Sequence, residues 1–529
     1  MIGKPSLFMT NFLKMRNFST YVSNVPLTQA IPGFNLNFNS SLLSSNSAAN
    51  ISKLSNGLTV ASQDKFGMHC TIGGMENFCE SFLVMLKAGP RYESGTISGV
   101  SHFLEKLGFH STDRFRDRDH IQSKMESCNS IFDCQISRSF ESGRDFIVYA
   151  ISGLNKHLSD LVHVLSETVL RPKITKDEVD MAARAIGFEL ASLEMAPPTE
   201  PILNDLLHSA AFHGCNTFGF PRYCPTESIG IISRRELMQF MASYYRPERT
   251  VVVGVGVDHS EFTNSVESSF MPWETSYGVE VPEEDRLTLD DSLPVYSGGE
   301  ITVDRDLSQY HAPMPEFAHC VIGLESCGSQ DPQFVASCLL NSLLGGGGSF
   351  SAGGPGKGMY SRLYTNVLNQ YHWVNSAQAT NHAYADAGVF CIAGSAEPAN
   401  LHRLVQVLAA ELRFTAEAPI PDEELQRAKN QLESMLLMNL EMNPVAFEDI
   451  ARQVLASGEW KPPDFWVEKI NAVSAEDLHN LLIRMFKSPL TLVGFGRMSN
   501  WPELREIQEM IAAPLQTRGT LPSLFKRFV

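Results

Sequence analysis

A helix followed by a strand occurs twice along the chain, in the same order. In the first half, acidic residues at 177 and 178 open an apolar-periodic helix, and residues 233–256 then read as a capped helix and a β-rich strand. In the second half, the same order begins at Asp422 and returns over residues 474–496. The offset is 245 residues from Asp177 to Asp422 and 240 residues from Gly254 to Gly494. Such a recurrence indicates a duplicated domain of about 200 residues, although common helix–strand patterns can also coincide.

The length and the mixture of elements lead to the same domain organisation. A chain of 529 residues is too long for one hydrophobic core. Because strands and helices are mixed in each half, we expect the α+β class or a roll rather than an all-helical fold. Residues 51–271 and 317–529 are the two predicted domains, and the five prolines within 272–316 predict a linker between them.

The N-terminal 50 residues differ from the rest of the chain. The first acidic residue is Asp64, whereas basic residues and many serines and asparagines precede it. A basic, Ser-rich and acid-free start is typical of a mitochondrial presequence, and Arg16 predicts cleavage before Ser19. A disordered cytosolic tail is the alternative, and residues 1–50 are left out of the fold prediction in either case.

The charge and the cysteines limit the functions to consider. A formal net charge of -17 argues against nucleic acid as a partner and suits a basic ligand, although it can also serve solubility alone. The ten cysteines contain no CxxC pair, which favours free thiols in a reducing compartment. No apolar run reaches about 18 residues, so we expect no membrane span.

Residues 102–106 read HFLEK and resemble a broken metal motif. In the inverted zinc motif H-x-x-E-H, two histidines on one helix face bind Zn²⁺ and the glutamate acts as general base. Lys106 stands at the second histidine position, and a protonated ammonium has no lone pair to offer a metal. On its own, the pair His102 and Glu105 is a weak signal, since helix surfaces often carry such residues.

A glycine-rich segment over 345–358 is the most distinctive feature of the second half. It does not fit a P-loop, because Ser351 stands where that motif needs glycine and Gly358 follows Lys357. Core-like leucines flank it, which argues against a flexible linker, and a plain surface loop remains as an alternative. Our interpretation is a mobile flap whose backbone approaches an extended peptide closely, with Phe350 as its one large apolar side chain. The predicted substrate-binding residues are Gly345, Gly346, Gly347, Gly348, Ser349, Phe350, Gly353, Gly354, Gly356, Lys357 and Gly358.

Four segments carry a family resemblance. They are similar to segments of the α subunits of mitochondrial processing peptidase, which are non-catalytic members of the inverted-zincin, pitrilysin-like family. The four segments are residues 99–107 (GVSHFLEKL), 187–190 (GFEL), 223–227 (YCPTE) and 447–455 (FEDIARQVL). The resemblance runs from about residue 55 to the C-terminus, and the glycine-rich segment matches the substrate-recognition loop of that family. It implies two homologous α/β rolls, a mitochondrial matrix location and a heterodimer with a zinc-bearing catalytic β subunit. Glu189 matches the third zinc ligand of the family, so this chain keeps His102, Glu105 and Glu189 and lacks one ligand.

The resemblance also implies the function and its alternatives. We expect a subunit that binds the basic presequences of imported precursors, contains no metal or other cofactor itself, and presents them to the zinc of its partner. One alternative is a structural core subunit of the respiratory bc1 complex, which would associate the chain with the inner membrane. Another is an active metallopeptidase with an unusual fourth ligand, which Lys106 disfavours. The carboxylates predicted to meet the cations of the presequence are Glu423, Glu424, Glu433, Glu441, Glu448 and Asp449.

Overall fold

The computed structural model describes residues 48–64, 79–95, 97–135, 144–195, 199–213, 218–308, 316–349 and 359–512. These residues all fall within one compact unit that begins at Ala48. The predicted presequence, with its cleavage point before Ser19, lies outside the described residues. Among those described, no helix combines the length and the hydropathy that crossing a bilayer requires.

The first half forms a six-stranded mixed sheet in the order β1-β2-β6-β3-β5-β4. Strands β2 and β6 run parallel, and the other neighbours run antiparallel. The strands are β1 (Asn50–Lys53), β2 (Thr59–Gln63), β3 (Cys79–Leu86), β4 (Ile131–Gln135), β5 (Ile147–Leu154) and β6 (Thr250–Val255). The helices are α1 (Val100–Leu107), α2 (Arg118–Ser127), α3 (Leu158–Leu170), α4 (Lys176–Met195), α5 (Thr199–Ala211), α6 (Arg234–Tyr244), α7 (His259–Phe270) and α8 (Ser276–Glu280).

The second half forms another six-stranded sheet in the order β7-β12-β8-β11-β10-β9. Here β7 and β12 run parallel, and the other neighbours run antiparallel. The strands are β7 (Gly299–Asp304), β8 (Ala318–Ser326), β9 (Gly346–Gly348), β10 (Val374–Ala383), β11 (Gly388–Ala396) and β12 (Thr491–Gly496). The helices are α9 (Phe334–Leu344), α10 (Leu401–Glu417), α11 (Asp422–Glu441), α12 (Asn443–Ser457), α13 (Pro463–Ala472), α14 (Ala475–Met485) and α15 (Leu504–Ala512), with a π-helical turn at Leu363–Leu368.

The two-domain α+β fold and the duplicated pattern are confirmed. The acid-rich starts predicted at residues 176–178 and 421–424 open α4 and α11, each of 20 residues. Ser233 and Ser474 both form capping boxes, which satisfy the first amides of α6 and α14. The strands predicted at the end of each half are β6 and β12, and every residue of both is buried.

The segment predicted as a linker is more ordered than its prolines suggested. Strand β7 lies inside 272–316 and pairs with β12 in the second sheet. Its burial alternates along the strand, as expected for an edge strand that packs one face, and no proline interrupts it. The second half therefore begins before residue 317. At the N-terminus the difference is small, since β1 begins at Asn50.

Both faces of each sheet are covered, and the cover on one face comes from the other half. In β3, Phe82 and Val84 belong to the core cluster that contains Phe103 of α1. The alternate residues Leu83 and Met85 instead share a buried cluster with α12, which belongs to the second half. Reciprocally, α5 of the first half packs on β7, β8 and β12. Because successive side chains of a strand point to opposite sides, each sheet has two buried faces. A helix from the other half covers one of them, so the two halves pack together.

The described cysteines support the prediction of free thiols. Those at positions 128, 134, 224, 320, 327, 338 and 391 are free, and each is buried or half-buried. They behave as small apolar side chains of the core.

Candidate functional site

Helix α1 carries the broken motif and is held at its start by a buried carboxylate. The Glu93 carboxylate accepts hydrogen bonds from the backbone N–H of Gly99 at 2.6 Å and of Ser101 at 2.7 Å. These amides belong to the first turn of the helix, where a negative group is favoured. Burial raises the pKa of Glu93 to about 7, against the effect of these hydrogen bonds. Glu93 thus fixes the direction of α1 and of the side chains it carries.

Four side chains of the motif meet between α1 and α4. Nε2 of His102 lies 3.2 Å from Oε2 of Glu189, and Nζ of Lys106 lies 2.8 Å from the same oxygen. Nζ of Lys106 is also 3.7 Å from Oε1 of Glu105. The hydrogen bond from His102 and the ammonium of Lys106 lower the pKa of Glu189 to about 2. Lys106 therefore lies beside both carboxylates, at the motif position where an inverted zincin carries its second histidine.

The hydrogen bonds of His102 bear on whether this cluster fits a zinc ion. The ring is buried, and its Nδ1 accepts a hydrogen bond from the backbone N–H of Cys224 at 3.2 Å. Nε2 must then carry the proton of the neutral ring and donates it to Glu189, so it has no free lone pair for a metal. A zinc-bound histidine normally uses its other nitrogen as a donor, which is the reverse arrangement. Together with the ammonium of Lys106, this leaves too few ligands for zinc, and the residues do not fit the ion.

The glycine-rich segment begins as an ordered strand. Gly346, Gly347 and Gly348 pair with Gln378, Ala377 and Ser376 of β10 as strand β9. The backbone N–H of Ser349 continues the ladder by donating to the carbonyl of Asn375 at 2.8 Å. This part of the segment is therefore an edge strand rather than a free flap. Phe350 and the predicted residues from Gly353 to Gly358 lie outside the described residues.

Backbone geometry explains why glycine is needed at two of these positions. Gly345 has a φ of +54° and Gly346 a φ of +102°, values that other residues rarely adopt. A Cβ on Gly346 would also clash with the backbone carbonyl oxygen of Ala377, whereas one on Gly348 would meet no atom within 4 Å. Close approach of β9 to β10 thus depends on Gly346.

Strand β9 ends the second sheet in the described part of the chain. Its inner edge bonds to β10, and no other described strand pairs with its outer edge. Such an edge presents backbone donors and acceptors that an extended peptide can use for β-addition.

The carboxylates predicted to meet a basic peptide fall into two groups. Glu424 forms two hydrogen bonds with Arg362, at 2.7 and 2.9 Å, and Glu448 pairs with Arg452 at 2.7 Å. Asp449 accepts hydrogen bonds from Gln453 and from the Trp460 indole, and burial raises its pKa. These three act within the fold, which the sequence could not show because their partners were unknown. Glu423 and Glu441 are exposed and Glu433 is half-buried, so these three fit the prediction better.

Sequence reasoning missed two groups that shape the cluster. Glu93 lies outside the motif, and only tertiary structure brings its carboxylate to the first turn of α1. Cys224 sets the tautomer of His102 through a backbone amide, 122 residues away along the chain. Neither contact has a local sequence signal, because a backbone N–H is present at nearly every residue.

Comparison with known proteins identifies the family of this chain. Residues 77–226 match the family described as insulinase (peptidase family M16), and residues 232–432 match the peptidase M16 inactive domain. The chain is 39% identical over 485 residues to the mitochondrial-processing peptidase subunit alpha of Bos taurus, covering 90% of this chain and 87% of the relative. It is 37% identical to the Caenorhabditis elegans protein of the same name, covering 87% of each. Identity to the Neurospora crassa protein of that name is 32%, covering 84% of each. The chain therefore belongs to the family of mitochondrial-processing peptidase alpha subunits, within the M16 peptidases.

Proposed function

We propose that this chain is the non-catalytic α subunit of a mitochondrial processing peptidase. It binds the presequence of imported precursors and presents it to a catalytic β subunit in the matrix. The observation that carries the proposal is the site between α1 and α4, where the ammonium of Lys106 lies 2.8 Å from Glu189. With that cation in place and Nε2 of His102 protonated, this chain holds no zinc there and activates no water. Peptide cleavage must then come from the metal of the partner subunit.

Recognition of the peptide backbone is assigned to the glycine segment. Strand β9 offers an outer edge, and the glycines let a peptide main chain approach without meeting side chains. Backbone hydrogen bonds suit a subunit that binds many precursors, because they do not depend on the peptide sequence. Phe350 remains the candidate for contact with an apolar side chain.

Charge supports the same class of substrate. The chain has a formal net charge of -17, and Glu423, Glu433 and Glu441 lie exposed or half-buried on α11. A basic presequence would be attracted to such a surface and released more easily at high salt. The alternative of a structural subunit of the bc1 complex is not favoured, because the three relatives compared above are all named as processing peptidase subunits.

A matched pair of glycine variants tests the proposal. Gly346→Ala should displace β9 from β10, because the new Cβ meets the Ala377 carbonyl and the backbone has a φ of +102°. We expect presequence affinity and cleavage rate of the reconstituted α–β pair to fall at least about tenfold, equivalent to about 1.4 kcal/mol. Gly230→Ala is the control, since it lies outside the glycine segment and its Cβ would meet no atom within 4 Å.

Two measurements separate recognition from assembly. Co-purification with the β subunit should be the same for both variants and the wild type, and only Gly346→Ala should lower the thermal unfolding midpoint, because of the strain at β9. Peptide affinity, measured by anisotropy of a labelled presequence, should fall only for Gly346→Ala. Equal affinity and equal processing for both variants would show that β9 is only a connector, and the recognition proposal would fail.

A further inference from the structure

Three side chains of metal-binding type meet at the adjoining ends of α2 and α3, outside the site described above. Cys128 follows the last residue of α2, His157 precedes the first residue of α3, and Asp160 lies in the first turn of α3. One thiol, one imidazole nitrogen and one carboxylate oxygen from these residues lie within 4.8 Å of one another. The backbone has therefore already brought three potential ligands together.

Helix capping does not explain the presence of His157. His157 occupies the N-cap of α3 but makes no side-chain capping bond, although Ser, Thr, Asp or Asn would do so. Its ring forms no hydrogen bond within the described part of the chain, whereas a half-buried imidazole usually has a partner. The Cys128 thiol is buried, at 2% exposure, so it forms the floor of the cluster.

A positive charge already occupies the outer side of the cluster. Nζ of Lys124 lies 2.9 Å from Oδ2 of Asp160. The side chains of Lys124 and Asp160 are 36% and 52% exposed, so solvent reaches the cluster from this side. An exposed ion pair of this kind contributes little to stability and can be exchanged for a stronger cation.

We propose that Cys128, His157 and Asp160 form a Zn²⁺ site with a water molecule as the fourth ligand. Thiolate, neutral imidazole and carboxylate are the usual protein ligands of zinc, and a water molecule from the exposed side would complete its four-coordination. On binding, the Cys128 thiol loses its proton to solvent, the sulfur forms a bond to the metal, and Lys124 leaves the carboxylate. The site is separate from the cluster of His102 and does not depend on the proposed recognition of presequences.

The test is a zinc titration of the full-length chain, reduced and stripped of metal beforehand. Competition with a chromophoric chelator should show one equivalent bound, and Co²⁺ should produce a thiolate-to-metal absorption band. Cys128→Ser and His157→Asn should each weaken binding at least tenfold and remove or diminish that band. His163→Asn, on the same helix, is the matched control and should bind zinc as the wild type does.

Lys124→Met supplies a change in the opposite direction. Removing the competing ammonium should tighten zinc binding about threefold or more, a gain that misfolding cannot produce. Absence of stoichiometric binding, or binding that Cys128→Ser and His157→Asn leave unchanged, would overturn the proposal. If His102→Asn abolished the zinc while Cys128→Ser did not, the metal would belong to α1, and both this proposal and the non-catalytic assignment would fail.

Discussion

The two halves of the molecule share a core and differ at the edges of their sheets. Without the outermost strands, the orders are β2-β6-β3-β5-β4 and β7-β12-β8-β11-β10, each with one parallel pair at the same place. The first sheet adds β1 beside β2, whereas the second adds the glycine strand β9 beside β10, at the opposite edge. Because the inner strands are buried on both faces, a strand can be added to the sheet most easily at an edge. The added edge strands are therefore the main difference between the two sheets.

The helix pair that carries the cluster of His102 and Lys106 also differs between the two halves. Helices α1 and α9 each end at a glycine, Gly108 and Gly345, and each packs on a 20-residue helix of its own half. Aligned on those glycines, the buried Leu339 and Leu343 take the positions of His102 and Lys106. Aligned on their first residues, α4 and α11 place Met435 where Glu189 stands. At these three positions only the first half has ionisable side chains, so its ionic cluster is not required by the fold.

The largest predicted effect concerns the helices that the halves share. Ile450 of α12 is buried against the first sheet, and Leu207 of α5 is buried against the second. Replacing either by alanine should destabilise the protein by about 2–5 kcal/mol, because each leaves a cavity in a closed cluster. Hydrogen exchange should show the loss of amide protection in the other half. We expect faster exchange in β2, β3 and β6 for Ile450→Ala, and in β8 and β12 for Leu207→Ala. Loss confined to the half that carries the substitution would mean that the halves are independent.

A smaller effect is expected from a buried carboxyl that distinguishes the helices after β5 and β11. The Glu167 carboxylate of α3 pairs with Arg171 at 2.6 Å. Among the described residues, the Glu411 carboxyl of α10 accepts a hydrogen bond only from the neutral side-chain amide of Asn366, at 2.9 Å. Burial raises the pKa of Glu411 from 4.5 to about 7. A raised pKa means that the folded state binds the proton of Glu411 more tightly than the unfolded state does. The contribution of this proton to the stability of the fold is complete below pH 4.5 and is lost as the pH rises through about 7.

Glu411→Gln should remove that loss, because an amide keeps the hydrogen bond and does not ionise. Near pH 5 the variant should match the wild type, and near pH 8 it should be more stable by roughly 1–2 kcal/mol. Thermal midpoints measured at both pH values check this. Parallel pH profiles for the two proteins would contradict it. Glu167→Gln should behave differently and destabilise at both, since it leaves Arg171 without its carboxylate.

The smallest predicted effect should be equal in the two halves. Ser233 caps α6 and Ser474 caps α14, each through a complete capping box. Ser233→Ala and Ser474→Ala should each cost about 1 kcal/mol, seen as faster exchange of the first-turn amides. A clear difference between them would show that the duplicated helices no longer have equivalent surroundings.

Local chemistry made much of the architecture predictable. The acid-rich starts of α4 and α11, the serine caps and the buried strands β6 and β12 all depend on neighbouring residues, so their patterns could be read directly. Strand β7 was missed because the spread prolines around it outweighed a short alternating run. The glycine segment was interpreted as a flap because glycines permit mobility, whereas pairing with β10 depends on residues 28–32 positions away.

The sequence by itself indicated that a zinc ligand is missing, because Lys106 replaces a histidine and a protonated ammonium has no lone pair. It also determined the duplicated pattern, whereas the need for glycine at Gly346 came from the pairing of β9 with β10. Only the tertiary structure decided the tautomer of His102, the position of Lys106 between two carboxylates, and the exchange of α5 and α12 between the sheets. The physical reason is range: propensity, capping and ligand chemistry act within a few residues, whereas burial and electrostatic pairing depend on distance in space.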